Sequence, residues 1–340
     1  MKVLWISPHG DGWALAAAVR EAGNRVVMYN PENKNGLGYL PTVTEAGWMD
    51  LAKKADLVVC DGVPDSRRTR RSWAPSDLVN DLQLLRHQGV QVVGPCPTTE
   101  LMQNDPRYQR KILKRQGLTH AEQALPGGVE VTVSRDPDGR CSIVFRHRHL
   151  LGAGNGPDVG NLADIVLPMS GDQPLVKNST GRVEQFLEGL GFRGYFSLSL
   201  SVTENQLHVR DVLTGFLYPG VFVQFASLLL DPKQPVVPGA AVSIIDLERH
   251  ASDVRGLEGL LNYPGVFGAE LHRKPEDRTD WLHGQFVGAV VGVGNAWDTV
   301  EQDINRKLNK IVADHPGLGF RTGINVAGHL KNLHDWGWLV

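Results

Sequence analysis

The most constraining feature of this sequence is its first thirty residues, in which a strand, a glycine-rich loop, a helix and a second strand follow one another. An apolar run at 2–7 ends at the loop Pro8–Gly12. The apolar-periodic segment 13–22 then stops at Gly23, a residue type that commonly follows the end of a helix. The strand-like run 25–29 comes next. This order is the opening of a βαβ unit and predicts a parallel sheet.

The same alternation of strands and helices continues to about residue 95. It predicts a strand at 56–60, a helix at 75–88 and a strand at 90–94. Residues 1–95 are therefore expected to form an open α/β domain of nucleotide-binding type.

The pattern changes after Gly117, where alternating apolar and polar residues indicate antiparallel strands. Strands are predicted at 129–134, 142–146, 195–202 and 207–212, with the last two forming a hairpin, and helices at 216–230 and 299–313. The resulting fold class is α/β, with an open parallel-sheet N-terminal domain, an α+β body over 96–262 and a small α/β C-terminal module over 263–340.

Charge and cysteine content exclude several classes of protein. The 35 basic and 37 acidic residues give a net charge of −2, which excludes a globally basic nucleic-acid coat. The three cysteines form no CxxC pair, so neither a disulfide scaffold nor a zinc ribbon is predicted. Apolar runs such as 286–293 are far shorter than a membrane span needs. We therefore predict a cytoplasmic protein with no membrane partner.

Two local segments are basic despite the balanced total. One is Arg67–Arg71, and the other is 107–115, within a predicted helix 105–116 that Asp105 caps and Pro106 begins. Either segment is able to contact phosphates or nucleic acid, although solvated surface charge is the commoner explanation.

The loop after the first strand is a candidate anion site, because its backbone N–H groups and the following helix N-terminus can face a phosphate. Its residues are His9, Gly10, Asp11 and Gly12. A plain tight turn is the alternative, since the loop lacks a complete G-x-G-x-x-G motif. The loop also resembles the P-H-P-D-D loop of zinc-dependent amide deacetylases. That resemblance implies His9 as a zinc ligand and Asp11 as the base, with Gly12 at the position of the second Asp.

His147 and His149 form a second candidate site. They lie two residues apart and would share one face of a strand. With Arg146 and Arg148 beside them, they are interpreted as an anion-contacting edge or, alternatively, as a metal-binding pair.

Several stretches occur in the same order as the signatures of one enzyme family. They are Val92–Pro95, Gly117–Ala121, Gly128–Thr132, Arg146–His149, Gly156–Asn161, Gly288–Gly294 and Gly319–Ile324. In this order the chain resembles phosphoribosylamine–glycine ligase (glycinamide ribonucleotide synthetase), an ATP-grasp carbon–nitrogen ligase. The resemblance implies an ATP-grasp-like body. It also implies a phosphorylated sugar or nucleotide held by the N-terminal glycine loop, Gly156, Gly160 and Arg321, since a guanidinium can bind phosphate bidentately.

The chain departs from this family where ATP is bound. Only residues 122–127 stand where the family has a complete lid subdomain, and the family's helical lysine pair falls at about Pro106 and Arg110. The metal-binding stretch corresponds to 210–216, in which Asp211 is the one carboxylate. Acyl-phosphate chemistry needs Mg²⁺ and a cationic lid. The resemblance therefore implies a truncated, lid-less relative with a degenerate active site.

Three functional hypotheses follow. The first is a binding or scaffolding protein, or one with an altered amine- or acyl-transfer role, that takes a phosphorylated sugar or nucleotide. The second is an active ATP-dependent ligase, which alone would need ATP and Mg²⁺. The third and weaker is a zinc-dependent amide hydrolase that uses the N-terminal loop. His9, Asp11 and Asp211 are the candidate acid–base residues, and no metal site is assigned.

Overall fold

The structure is a computed structural model. It describes residues 1–8, 12–31, 40–63, 75–121, 123–136, 141–148, 161–169, 173–216, 221, 223, 239–246, 266–267, 285–294, 297–314, 318–319 and 327–339. None of the helices within these ranges has the length and apolar character needed to cross a lipid bilayer.

The N-terminal region is a parallel sheet, as the sequence predicts. Its strands are β1 (Lys2–Ile6), β2 (Arg25–Tyr29), β3 (Leu57–Cys60) and β4 (Val92–Val93), and its helices are α1 (Trp13–Glu21), α2 (Trp48–Ala52) and α3 (Asp77–His87). The strand order is β2-β1-β3-β4, and every pair is parallel. The chain therefore reverses its direction of winding at β1, and a crevice is expected there at the carboxyl ends of β1 and β3.

Local residues explain where the helices of this region stop and start. Gly23 and Gly89 follow α1 and α3 with φ angles of +90° and +84°, a conformation that glycine adopts without a steric penalty. Helix α3 begins after Ser76, whose hydroxyl accepts a hydrogen bond from the backbone N–H of Val79. The predicted helix 75–88 is thus confirmed with slightly shorter bounds.

A nine-stranded sheet follows the parallel sheet. Its strands are β5 (Val129–Arg135), β6 (Cys141–Arg148), β7 (Asn161–Pro168), β8 (Phe196–Val202), β9 (Leu207–Thr214), β10 (Gly239–Asp246), β11 (Val266–Phe267), β12 (Gln285–Val293) and β13 (Leu318–Gly319). Their order is β11-β12-β10-β7-β6-β5-β8-β9, with β13 beside β10, and all pairs are antiparallel. Because β10 pairs with β12, the predicted C-terminal module contributes strands to the sheet of the predicted body. The boundaries at 95 and 262 stay predictions.

Helices cover one face of this sheet. They are α4 (Pro97–Asn104), α5 (Pro106–Arg115), α6 (Pro174–Gly189), α7 (Trp297–Asp314) and α8 (Ala327–Asp335). Alternate residues of β8, Leu198 and Leu200 among them, join Leu113 of α5 and Leu308 of α7 in one buried apolar cluster. Because the apolar side chains of β5, β8 and β9 point toward the helices, the polar side chains of these strands point to the opposite face of the sheet.

The opposite face of the sheet contacts the N-terminal region. Val144 and Val166 pack with Trp5 and Leu15 in a second buried cluster. The backbone also joins the two regions, since Phe216 N–H donates to the carbonyl of Asp61 at 3.1 Å. This face is therefore closed at β6 and β7 by the N-terminal region.

Several elements were not predicted, notably β7, β10, α4 and α6. The helix predicted at 216–230 lies outside the described residues except at 216, 221 and 223.

Candidate functional site

A cleft of about 660 Å³ opens beside the β8–β9 hairpin. Its lining residues are Met102, Gln103, Pro106, Gln109, Arg110, His120, Glu130, Val131, Thr132, Val144, Ser199, Leu200, Arg210 and Asp211. We call this cavity the hairpin cleft. It lies between the α4–α5 pair and strands β5, β6, β8 and β9. Val144 lines one end of the cleft and also belongs to the apolar cluster that the sheet shares with the N-terminal region.

One cross-strand row of side chains forms the floor of the hairpin cleft. The row consists of Val144 on β6, Thr132 on β5, Ser199 on β8 and Asp211 on β9, each directly opposite the next. Residues opposite one another in an antiparallel sheet share a face, so the two hydroxyls and the carboxylate point the same way. The floor can therefore accept and donate hydrogen bonds to a polar ligand.

A β-bulge in β9 places Arg210 beside this row. Ser199 is opposite Asp211, but Leu200 is opposite Val209, so Arg210 is an extra residue on β9. In a regular strand, neighbouring residues point to opposite faces. A bulge removes that alternation. Arg210 and Asp211 consequently both line the cleft, while Val209 on one side and Val212 on the other are buried in the core.

The side chain of Gln109 holds Asp211 from the α5 helix. Its Nε2 donates to Oδ1 of Asp211 at 2.7 Å, and also lies 3.1 Å from the carbonyl of Val212 and 3.2 Å from that of Met102. Gln109 is only 4% exposed, which is unusual for glutamine. The same Oδ1 accepts from the N–H of Val212 at 2.8 Å. One oxygen of Asp211 is therefore occupied by protein donors.

Three side chains bring basic groups to the cleft: Arg110, His120 and Arg210. Arg210 is 30% exposed and its Nη1 lies 3.0 Å from Oε1 of Glu130, which is 64% exposed. His120 is positioned by a backbone bridge to Val209 at the edge of the sheet. The cleft thus carries a solvent-accessible ion pair next to further basic side chains, an arrangement suited to anionic ligands.

Helix α5 confirms the predicted basic helix and explains its charges. Asp105 caps it by accepting from the N–H groups of Arg107 and Tyr108, and Pro106 is its first residue. Most of its basic residues are exposed to solvent, while Arg110 lines the cleft. Arg110 is also the position at which the second lysine of the resembled ligases falls, so a basic side chain remains there.

Gly12, the last residue of the glycine loop after β1, lies at the carboxyl ends of β1 and β3. The N–H of Gly12 donates to Oγ of Ser7 at 3.1 Å, and Nε1 of Trp5 donates to Oδ2 of Asp61 at 3.0 Å. A Cβ on Gly12 would lie 1.7 Å from that carboxylate oxygen, so only glycine fits. The N–H of Gly12 is thus already used within the protein, whereas the sequence interpretation left it for a phosphate.

Most of the other predicted site residues lie outside the described residues. They are His9, Gly10, Asp11, His149, Gly156, Gly160 and Arg321, together with the basic segment 67–71. His147 lies on β6 opposite Ala163, at a register irregularity, and its side chain is not described. The N-terminal zinc site and the Arg321 phosphate site therefore stay predictions. Of the three predicted catalytic residues, only Asp211 is among the described residues, and it lies in the hairpin cleft.

Several residues of the cleft were not predicted from the sequence, among them Ser199, Gln109 and Arg210. Ser199 belongs to the alternating run 195–202, which indicated a strand but did not identify the residue opposite Asp211. Gln109 lies within α5, which the sequence marks only as a basic helix with a solvated surface. Arg210 was not predicted because simple alternation along β9 would place it on the face opposite Asp211, and the bulge cannot be seen in the sequence.

No protein-family model matches the chain, and no curated protein matches it. Solved structures do. The N5-carboxyaminoimidazole ribonucleotide synthetase from Thermus thermophilus has a TM-score of 0.58 at 13% identity, over 92% of this chain and 98% of that one. The phosphoribosylamine–glycine ligase from Thermotoga maritima has a TM-score of 0.56 at 14% identity, over 94% and 98%. The N5-carboxyaminoimidazole synthetase from Staphylococcus aureus, complexed with ADP, has a TM-score of 0.54 at 12% identity, over 90% and 96%.

These neighbours are ATP-grasp enzymes of purine biosynthesis, and the chain shares their mixed α/β fold with a parallel and an antiparallel sheet. The predicted fold class is confirmed at this level. At such low identity the likeness shows the fold alone, and two different enzymes of the same group match almost equally well.

Proposed function

We propose that the protein binds a phosphorylated sugar or a nucleotide in the hairpin cleft. The observation that carries the proposal is the pairing of a hydroxyl- and carboxylate-bearing floor with the basic residues Arg110 and Arg210 in one cleft. Phosphate is bound well by guanidinium groups, and sugar hydroxyls are bound well by carboxylate, hydroxyl and amide groups. Both kinds of group are present at this one place.

The size and polarity of the cleft fit this ligand class. A volume of about 660 Å³ lies in the range typical of small-molecule sites. Apolar side chains such as Val144 and Met102 contribute to the lining, which suits a ligand that has both a ring and a phosphate. Likeness of fold to enzymes that act on ribonucleotides supports the same class of ligand.

The protein is further proposed to be a divergent relative of phosphoribosylamine–glycine ligase that has lost standard ATP-driven ligation. It would act as a binding or scaffolding protein, or in an altered amine or acyl transfer. Support comes from the single carboxylate in the floor, Asp211, whose Oδ1 is already engaged by Gln109.

Calorimetric titration with ribose 5-phosphate and with ADP tests the proposed function. Wild-type protein is expected to bind at least one of them, and Arg110→Ala to weaken binding by about tenfold or more, as for loss of a charge-assisted contact. Arg306→Ala is the matched control, because Arg306 is 79% exposed on α7 and lies outside the cleft. Absence of binding to both ligands, or equal loss in both variants, would contradict the proposal.

An active ATP-dependent ligase is the second candidate function. The observation that favours it is the position of Asp211 in the floor of a cleft in a fold shared with an enzyme solved with ADP. This candidate needs ATP and Mg²⁺, and it is separated from the first by measuring ADP release.

A further inference from the structure

We propose that Arg210, in place of a divalent metal ion, supplies the cation that holds the ligand's phosphate in the hairpin cleft, and that the phosphate displaces Glu130 from Arg210. This inference rests on the proposed function and adds to it the phosphate-binding group and its competitor. It is carried by the bulge in β9, the ion pair across β8, and the hydrogen bonds to Asp211.

The donor set of the cleft does not favour Mg²⁺. Mg²⁺ favours oxygen ligands in octahedral geometry and is usually held by carboxylates together with substrate phosphates. Among the residues that the structure describes, the carboxylates that line the cleft are Asp211 and Glu130. Oδ1 of Asp211 accepts from Gln109 and from the N–H of Val212, and Glu130 is paired with Arg210. Across the described residues, no group of three or more His, Cys, Asp or Glu side chains could hold a metal ion.

A positive charge shares the face of the sheet that carries Asp211. The bulge turns Arg210 to the same face as Asp211, so a guanidinium lines the same cleft as the carboxylate that a metal would need. A second cation at this place is disfavoured by like-charge repulsion. The described residues of the cleft therefore do not fit Mg²⁺, whereas a guanidinium fork fits a phosphate directly.

Glu130 is the group that a phosphate would displace from Arg210. Its carboxylate lies 3.0 Å from Nη1 of Arg210 and is 64% exposed, so the pair is accessible to solvent and weak. Glu130 is opposite Ser201 on β8, and the pair therefore bridges over that strand. A dianionic phosphate competes with a single carboxylate for the same guanidinium. Glu130 thus keeps Arg210 oriented in the empty cleft and lowers the affinity for phosphate.

The inference is tested by titrating ADP into the full-length protein in EDTA and in excess Mg²⁺. Affinity is expected to be unchanged or weaker in Mg²⁺, because Mg²⁺ neutralises charge that Arg210 would otherwise contact. Glu130→Gln is expected to tighten binding by about two- to fivefold, the range for an exposed ion pair. Arg210→Ala is expected to weaken it by about tenfold or more. Glu204→Gln, an exposed position in the β8–β9 turn, is the control and should match wild type.

The outcomes separate the two proposals. Binding that tightens by about tenfold or more on adding Mg²⁺, and loses that gain in Asp211→Asn, would overturn the role of Arg210 while leaving the proposed function intact. An unchanged affinity in Glu130→Gln, with thermal stability equal to wild type, would overturn the role of Glu130. If ADP and ribose 5-phosphate both fail to bind the wild-type protein, the proposed function and this inference fall together.

Discussion

Nε2 of Gln109 lies 2.7 Å from Oδ1 of Asp211, and this contact joins helix α5 to strand β9 inside the hairpin cleft. The two residues are 102 positions apart in the sequence. Because the same amide also contacts the carbonyls of Met102 and Val212, one side chain ties α4, α5 and β9 together. The geometry of the cleft therefore depends on the uncharged side chain of Gln109.

Replacing Gln109 with alanine is expected to lower the free energy of unfolding by about 1–3 kcal/mol, because buried acceptors lose their donor. Urea denaturation measures the change. Gln302→Ala is the control, since Gln302 is exposed on α7 and should change stability by less than about 0.5 kcal/mol. Equal midpoints for the two variants would show that the amide does not hold the cleft.

Gly94 is expected to tolerate no side chain. Its φ is +149°, and a Cβ would lie 2.7 Å from the carbonyl oxygen of Cys60 and 2.8 Å from its Cβ. Gly94→Ala should therefore destabilise the protein by about 2 kcal/mol or more through strain and overpacking. Thermal and urea unfolding of the purified variant measure this loss.

Gly181 provides the matched control for that substitution. It lies within α6, and a Cβ there would meet no atom within 4 Å. Gly181→Ala is expected to stabilise the protein by about 0.5–1 kcal/mol, because alanine favours the helix. If both alanine variants change the free energy of unfolding in the same direction, the close approach of Gly94 to Cys60 does not limit the side chain at position 94.

The sequence predicted the strands of the parallel sheet but not the pairing of the large antiparallel sheet. The strands β1 to β4 are short apolar runs, and glycines follow the helices α1 and α3 between them, so their local pattern was sufficient. The partners of β10 could not be predicted in this way, because it pairs with β7 and β12, far away in sequence. Register between distant strands depends on packing of the whole sheet.

The candidate site shows the same limit. Asp211 was identified from a family resemblance, but its neighbours were not. The bulge that turns Arg210 into the cleft is one extra residue in β9, and an alternating pattern does not indicate where such a residue falls. Gln109 was missed because polar residues in a basic helix are ordinarily exposed.

Asp303 on α7 is expected to make stability depend on pH. Burial acts to raise the pKa of this carboxyl, but the ion pairs with Lys307 and Arg306 outweigh it, and its pKa is held below the ordinary value. The stabilisation is thus complete above the ordinary pKa, about 3.9, and is lost as the pH falls through the lowered pKa of the folded protein.

Asp303→Asn should therefore cost about 0.5–1 kcal/mol at pH 7, and the difference from wild type should shrink as the pH falls below about 3.9 and vanish below the lowered pKa of the folded protein. Urea unfolding at a series of pH values gives this profile. Glu301→Gln, exposed on the same helix, is the control. A difference that persists unchanged to acid pH would assign the effect of Asp303→Asn to packing instead of charge.

The last prediction concerns turnover. Purified protein given ATP, glycine and phosphoribosylamine at saturation, with Mg²⁺, is expected to release ADP far more slowly than the roughly 1–10³ per second of ordinary enzymes. Acyl-phosphate formation needs a lid, lysines and metal ligands that act on the same developing charge, and such groups act as a unit.

Within the hairpin cleft, Asp211 is the carboxylate in the floor row, and Gln109 engages one of its oxygens. Losing even one preorganised contact commonly costs about 10²–10³ in rate. Any slow background release should therefore be the same in Asp211→Asn as in wild type. Turnover near about one per second that disappears in Asp211→Asn would establish the ligase and refute the loss of ATP chemistry.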